Sequence, residues 1–156
     1  MLELTIQNQQ KEFEIPVENK LIAWAEKALL QDEDSQVTLR IVDTDESQAL
    51  NKEFRGKDKP TNVLSFPMEM PDEFALALES KLLGDIVICA DIVVRESEQQ
   101  NKTTEAHWAH MLTHGMLHLQ GYDHINDNDA EEMEALEIKI LKQSGFEDPY
   151  QFNSDE

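Results

Sequence analysis

The chain has 156 residues, with 33 acidic against 13 basic side chains and a formal net charge of -20. A chain of this length buries roughly 70% of its unfolded surface and can build a core without staples, and an apolar content of 40% excludes a disordered chain. The charge argues against broad nucleic-acid affinity, which needs many phosphate-neutralising cations, and leaves room only for a local basic patch.

In chain order, LELTIQ alternates apolar and polar residues and predicts a strand. Pro16 sits where a helix can begin, and VENKLIAWAEKALL puts Val17, Leu21, Ile22, Ala25, Ala28 and Leu29 on one helical face. VTLRIVD predicts a second strand, and TDESQALNKEF a short helix capped by Thr44. Gly56 opens the loop GKDKPT, and NVLSFPM predicts a third strand ended by Pro67. MEMPDEFALALESKLL has no clear period and contains Pro71, which predicts a long loop. LGDIVICA is a near-continuous apolar run, as in a central strand. Cys89 lies in that run and reads as a core residue; as the only cysteine it excludes an intramolecular disulfide and fits a reducing compartment. Asp91 is placed to cap a helix over IVVRESEQQ. TTEAHWAHMLTHGMLHLQ is strongly helical up to Gly121, and DNDAEEMEALEIKILKQSG predicts an amphipathic helix with acids in its first turns. EDPYQFNSDE reads as a loose tail. The expected fold class is α+β, with a small mixed β-sheet of about four strands packed with helices. It forms a single domain over residues 1–150, followed by a tail at 151–156. No signal peptide and no membrane span is visible, so the expected location is the cytoplasm.

The sharpest local pattern is HGMLHLQGYDH, residues 114–124. Helical positions i and i+4 share a face, about 6 Å apart along the axis, so His114 and His118 can face one ion. Gly121 can take the left-handed conformation that turns the chain, which lets His124 return to the same point. Two ligands from a helix and a third from the following loop suit zinc, and three protein ligands leave a fourth position open, as in catalytic sites. His110 is too far along the helix to share an ion with His118, and reads as a pocket residue, an outer support or surface. His107 reads as surface or satisfied core. Gly115 stands where H-E-x-x-H peptidases place their glutamate base, so peptidase machinery is missing there. Asp123 reads equally as an acceptor that orients a ligand or as a turn residue, and Tyr122 as packing.

KEFRGKDK, residues 52–59, is the one clearly net-positive window, with Lys52, Arg55, Lys57 and Lys59 against Glu53 and Asp58. The guanidinium of Arg55 presents a planar fork suited to phosphate. If this loop folds over the histidines, Arg55 and a metal together would hold a phosphodiester.

HGMLHLQGYDH, with RGKDKPTNVLSFP and LGDIVIC upstream in that order, closely resembles the YbeY family of bacterial rRNA-maturation endoribonucleases. The resemblance covers about residues 1–150. Many members carry Asp where this chain has Asn62, which weakens any carboxylate role at that position. The resemblance implies a single α+β domain, one zinc ion per chain held by His114, His118 and His124, and a functionally important Arg55 near the metal. It implies single-strand-specific RNA cleavage, maturation of the 3′ end of 16S rRNA and late quality control of 70S ribosomes. Its implied partners are the 16S rRNA precursor, small-subunit ribosomal proteins and a ribosome-associated GTPase.

The leading expectation is therefore metal-assisted phosphodiester hydrolysis, with Arg55 and His114 at the reaction and water activation shared among the ligands. The alternatives are a ribosome-assembly factor whose zinc is structural, or a metal-dependent hydrolase of another substrate.

Overall fold

The computed structural model describes residues 2–8, 14–30, 33–68, 81–123 and 126–150. Among these residues four strands form one sheet: β1 (Leu2–Asn8), β2 (Ser35–Val42), β3 (Val63–Pro67) and β4 (Lys81–Cys89), in the order β1-β2-β4-β3. β1 and β4 both run parallel to β2, and β3 is antiparallel to β4. Among the described residues five helices accompany it: α1 (Glu18–Lys27), α2 (Thr44–Arg55), α3 (Ala90–Gln99), α4 (Thr104–Leu119) and α5 (Asp127–Gln143). The mixed α/β architecture and the small four-stranded sheet are as expected from the residue pattern. No helix among the described residues is long and apolar enough to cross a membrane.

β4 explains its own sequence. It lies between β2 and β3, so both of its edges are paired, and a core packs on each of its faces. Ile86 and Ile88 join the large core with Leu39, Ile41, Trp108 and Leu112, while Val87 and Cys89 face a smaller core with Val42 and Leu64. A strand covered on both sides has no position for a polar alternation, hence the run IVIC. Cys89 is buried as expected, and burial raises its thiol above the usual range.

Several boundaries differ from the sequence expectation. The cap of α2 is Asp43, whose Oδ1 accepts from Glu46 N at 2.8 Å, and Thr44 is already helical. The carboxylate at the end of β2 reaches the third amide of the helix, so the strand hands over directly to the helix. Asp91 is likewise inside α3 rather than at its cap; it pairs with Arg95 one turn on. Lys81 and Leu82, expected in the loop, already belong to β4, because they pair with Ser35 and Gln36 of β2. The rest of that loop, residues 69–80, lies outside the described residues, as does the expected tail at 151–156. On α1, Trp24 is buried and Val17 is exposed, because Val17 precedes the first helical turn.

Helix α4 crosses the sheet closely. A Cβ at Gly115 would lie 2.9 Å from Cγ2 of Ile86, a fully buried side chain on β4. Position 115 therefore points at the sheet, and a glutamate there would enter the core. The missing peptidase base has a packing cause.

Gly115→Ala is expected to cost about 1–3 kcal/mol, the usual scale of overpacking a core. Urea unfolding measures it; an unchanged midpoint would show that Ile86 yields freely.

Candidate metal centre

α4 is capped by Thr103, whose hydroxyl accepts from Ala106 N at 3.0 Å. It carries His107, His110, His114 and His118 in register. After Leu119 the chain turns: Gly121 has φ +101, and Tyr122 N donates to Leu117 O at 3.0 Å. The turn expected of Gly121 is present, since that backbone conformation is open to glycine and strained for most other residues. His118 Nε2 and His114 Nε2 lie 3.1 Å apart. That is close to the ~3.3 Å edge of a tetrahedron whose corners sit ~2.0–2.1 Å from a zinc ion. His124 lies outside the described residues. Among the described residues no set of three His, Cys, Asp or Glu side chains converges as a metal cage.

Behind His114 stands a residue absent from the sequence reading. Glu137 of α5 is fully buried, and its Oε2 accepts from His114 Nδ1 at 2.5 Å. Its Oε1 accepts from the Tyr150 hydroxyl and lies 3.5 Å from His110 Nε2. Burial opposes ionisation of Glu137, but hydrogen bonds from His110 and His114 outweigh it and hold its carboxyl at about 2. The carboxylate thus keeps the proton of His114 on Nδ1 and directs the Nε2 lone pair toward His118. Burial pushes His110 below its ordinary pKa, and its Nε2 lies 3.3 Å from the Tyr150 hydroxyl that donates to Glu137. His110, left open between pocket, support and surface, is buried. Tyr150, assigned to a loose tail, is anchored by its hydroxyl to this site, and burial beside Glu137 raises its pKa.

The signal for Glu137 was in the sequence. Buried Met133, Ile140 and Leu141 form the apolar stripe of α5, and Glu137 falls one turn after Met133 on the same face. A carboxylate in an apolar stripe needs a buried partner. Tyr150 had no such pattern, because its position depends on the turn after Gly145.

A cleft of about 750 Å³ brings Arg55, Lys57 and Lys59 together with His114, His118 and Asp123. This is the juxtaposition the sequence could state only as a condition. Ser47 holds the basic loop by bonds to Thr61 N and O at 2.9 and 2.8 Å, and Asn51 by donating to Lys59 O at 2.8 Å. Arg55 donates through Nη2 to Ser65 O at 2.9 Å, which fixes its guanidinium at the edge of β3. Tyr122 also lines the cleft and packs against the large core, as its packing role anticipated. Asp123 is exposed on the cleft wall.

Asn62, also on this wall, donates to Glu96 at 3.0 and 3.3 Å, and Glu96 accepts from His107 Nε2 at 2.8 Å. A carboxylate at position 62 would face Glu96 across this gap; the amide removes that repulsion. His107 is therefore a core histidine, buried and held through Nε2 by Glu96. Burial raises the pKa of Glu96, but the bonds from His107 and Asn62 more than offset it, so it lies below its ordinary value of 4.5. A group held below its unfolded pKa contributes stability above that value, and the contribution is lost as pH falls through the folded one. Acidification from neutral pH is therefore expected to cost the wild type more stability than Glu96→Gln. Urea midpoints across the acid range test this; parallel curves would remove Glu96 from the acid response.

A family model described as endoribonuclease YbeY matches residues 5–145. Among solved structures, the chain is similar to the solution structure of TM1509 from Thermotoga maritima. The two are 27% identical, the match covers 99% of each chain, and the TM-score is 0.60.

Proposed function

Because the chain belongs to the YbeY endoribonuclease family, we propose that it is a single-strand-specific, zinc-dependent endoribonuclease that matures the 3′ end of 16S rRNA and serves late 70S ribosome quality control. The observation that carries this reading is the cleft that joins a paired-histidine site to the chain's basic loop. In a protein of formal net charge -20, that is where a polyanion meets cations.

The donor set suits one zinc ion per chain. Two imidazoles with Nε2 atoms 3.1 Å apart supply neutral nitrogen ligands, and His124 of the sequence pattern is the third. When bound, zinc would lower the pKa of a coordinated water or polarise a phosphoryl oxygen. The chain's own groups do the rest. Glu137 holds His114 in the tautomer that can ligate. Arg55, braced on Ser65 O by one N–H, keeps further N–H groups to bind the scissile phosphate and stabilise its developing charge. Lys57 and Lys59, which line the same cleft, bind the backbone phosphates beside it. The RNA partner is the 16S rRNA precursor, reached in the cytoplasm with small-subunit ribosomal proteins and a ribosome-associated GTPase. Protein contacts of that kind let an acidic chain approach RNA through one cleft.

On single-stranded RNA, Arg55→Glu and His114→Ala are expected to lower kcat/KM by about 10²-fold or more, the scale of losing a charge-stabilising donor. Wild-type rates in both variants would place the reaction elsewhere.

Glu137→Gln keeps the shape and removes the charge that orients His114. Its zinc affinity is expected to fall about 10–100-fold, read by competition with a chelator on a protein whose melting shows it folded. Unchanged affinity would exclude Glu137 from holding the ligand.

A further inference from the structure

Phe54 is 53% exposed on the last turn of α2. It sits edge-on to Phe66 with ring centroids 5.2 Å apart, and the Arg55 guanidinium lies 6.0 Å from the Phe66 centroid. The two rings and the guanidinium thus make a continuous strip, and its Arg55 end lines the cleft. Phe66 is partly buried and anchored in the smaller core, so the strip has a rigid base.

Two kinds of partner take an exposed aromatic at a sheet edge: an added β-strand or a stacked planar ring. The edge of β3 is poorly suited to the first. Asn62 O accepts from Cys89 N and Met68 N donates to Leu83 O, so the even-numbered residues face β4 and Val63, Ser65 and Pro67 face outward. At each outward residue one of the main-chain groups a new strand would need is taken or missing. Val63 N donates to Asn62 Oδ1 at 2.6 Å, Ser65 O accepts from Arg55, and Pro67 has no N–H. Such an edge disfavours pairing with another strand. The stacked ring remains, beside cations that hold a phosphate backbone.

We infer that Phe54, backed by Phe66, is a stacking platform for an unpaired nucleobase of the RNA whose backbone lies in the cleft beside Arg55. The inference rests on the endoribonuclease reading and deepens it. A base inside a duplex has both faces covered by its neighbours and cannot offer one to Phe54, whereas a base in a single strand can. The platform therefore selects single-stranded substrate through stacking, and tolerates any base because every base has a π-face.

The full-length protein tests this. Phe54→Leu keeps apolar volume and removes the π-face, and its melting temperature controls for folding. On single-stranded RNA, Phe54→Leu is expected to raise KM about tenfold and to change kcat by no more than about twofold, as for loss of one base–aromatic stack. Phe54→Trp is expected to keep the wild-type KM. Trp24 and Trp108 are 6% and 0% exposed, so the new indole dominates any solvent-dependent change in emission. Oligoadenylate should quench it, and a ribose-phosphate oligomer of the same length without bases should not. A wild-type KM in Phe54→Leu, or equal quenching by both oligomers, overturns the platform. If that occurs while Arg55→Glu still abolishes cleavage, the endoribonuclease reading stands alone. If the wild-type protein neither binds nor cuts RNA, both fall together.

Discussion

Helix α4 is buried on nearly every side, although it carries four histidines. A polar group left without a partner in the interior costs about 1–3 kcal/mol, so the neighbouring elements must supply acceptors. α3 brings Glu96 to His107, and α5 brings Glu137 to His110 and His114. Two carboxylates of a very acidic chain, Glu137 fully buried and Glu96 partly buried, are thus turned against the helix that holds the candidate site. Much of the arrangement follows: α3 and α5 pack where their glutamates reach α4, and Tyr150 closes over the second of them.

The same burial sets the geometry on the open side. Gly115 lets α4 lie against Ile86 of β4, and the Ser65 hydroxyl of β3 donates to Gly115 O at 3.4 Å. Helix and edge strand are therefore neighbours, and the Arg55 guanidinium tied to Ser65 comes to the cleft that His114 and His118 line. A residue such as alanine at 115 would press the helix away from the sheet. The packing glycine and the alignment of arginine with histidine are one constraint seen from two sides.

Charge acts at a different range. The formal net charge of -20 repels polyanions in general, and the cations at 52–59 are held in place by neutral groups: Ser47, Asn51 and Gln48 bond the loop that carries them. These anchors hold the loop without adding negative charge of their own, although Asp123 stands on the same cleft wall. Repulsion elsewhere and attraction here favour approach along one direction.

The sequence by itself determined the features that depend on near neighbours. Alternation marked the strands, the apolar run IVIC marked the strand covered on both faces, and the i, i+4 spacing of His114 and His118 placed two imidazoles on one helical face because helix geometry is local. Gly121 was legible for the same reason, as a left-handed turn. Asp43 in place of Thr44 as the cap of α2 was a one-residue error, set by where β2 stops pairing. Only the tertiary structure decided the contacts between distant segments. Glu137 against His114 crosses from one helix to the next, Tyr150 reaches back to Glu137 from beyond the end of α5, and Arg55 shares a cleft with histidines that lie beyond β3, β4 and α3 in the chain. Periodicity says which face of an element is buried; what it is buried against is decided by how the elements pack.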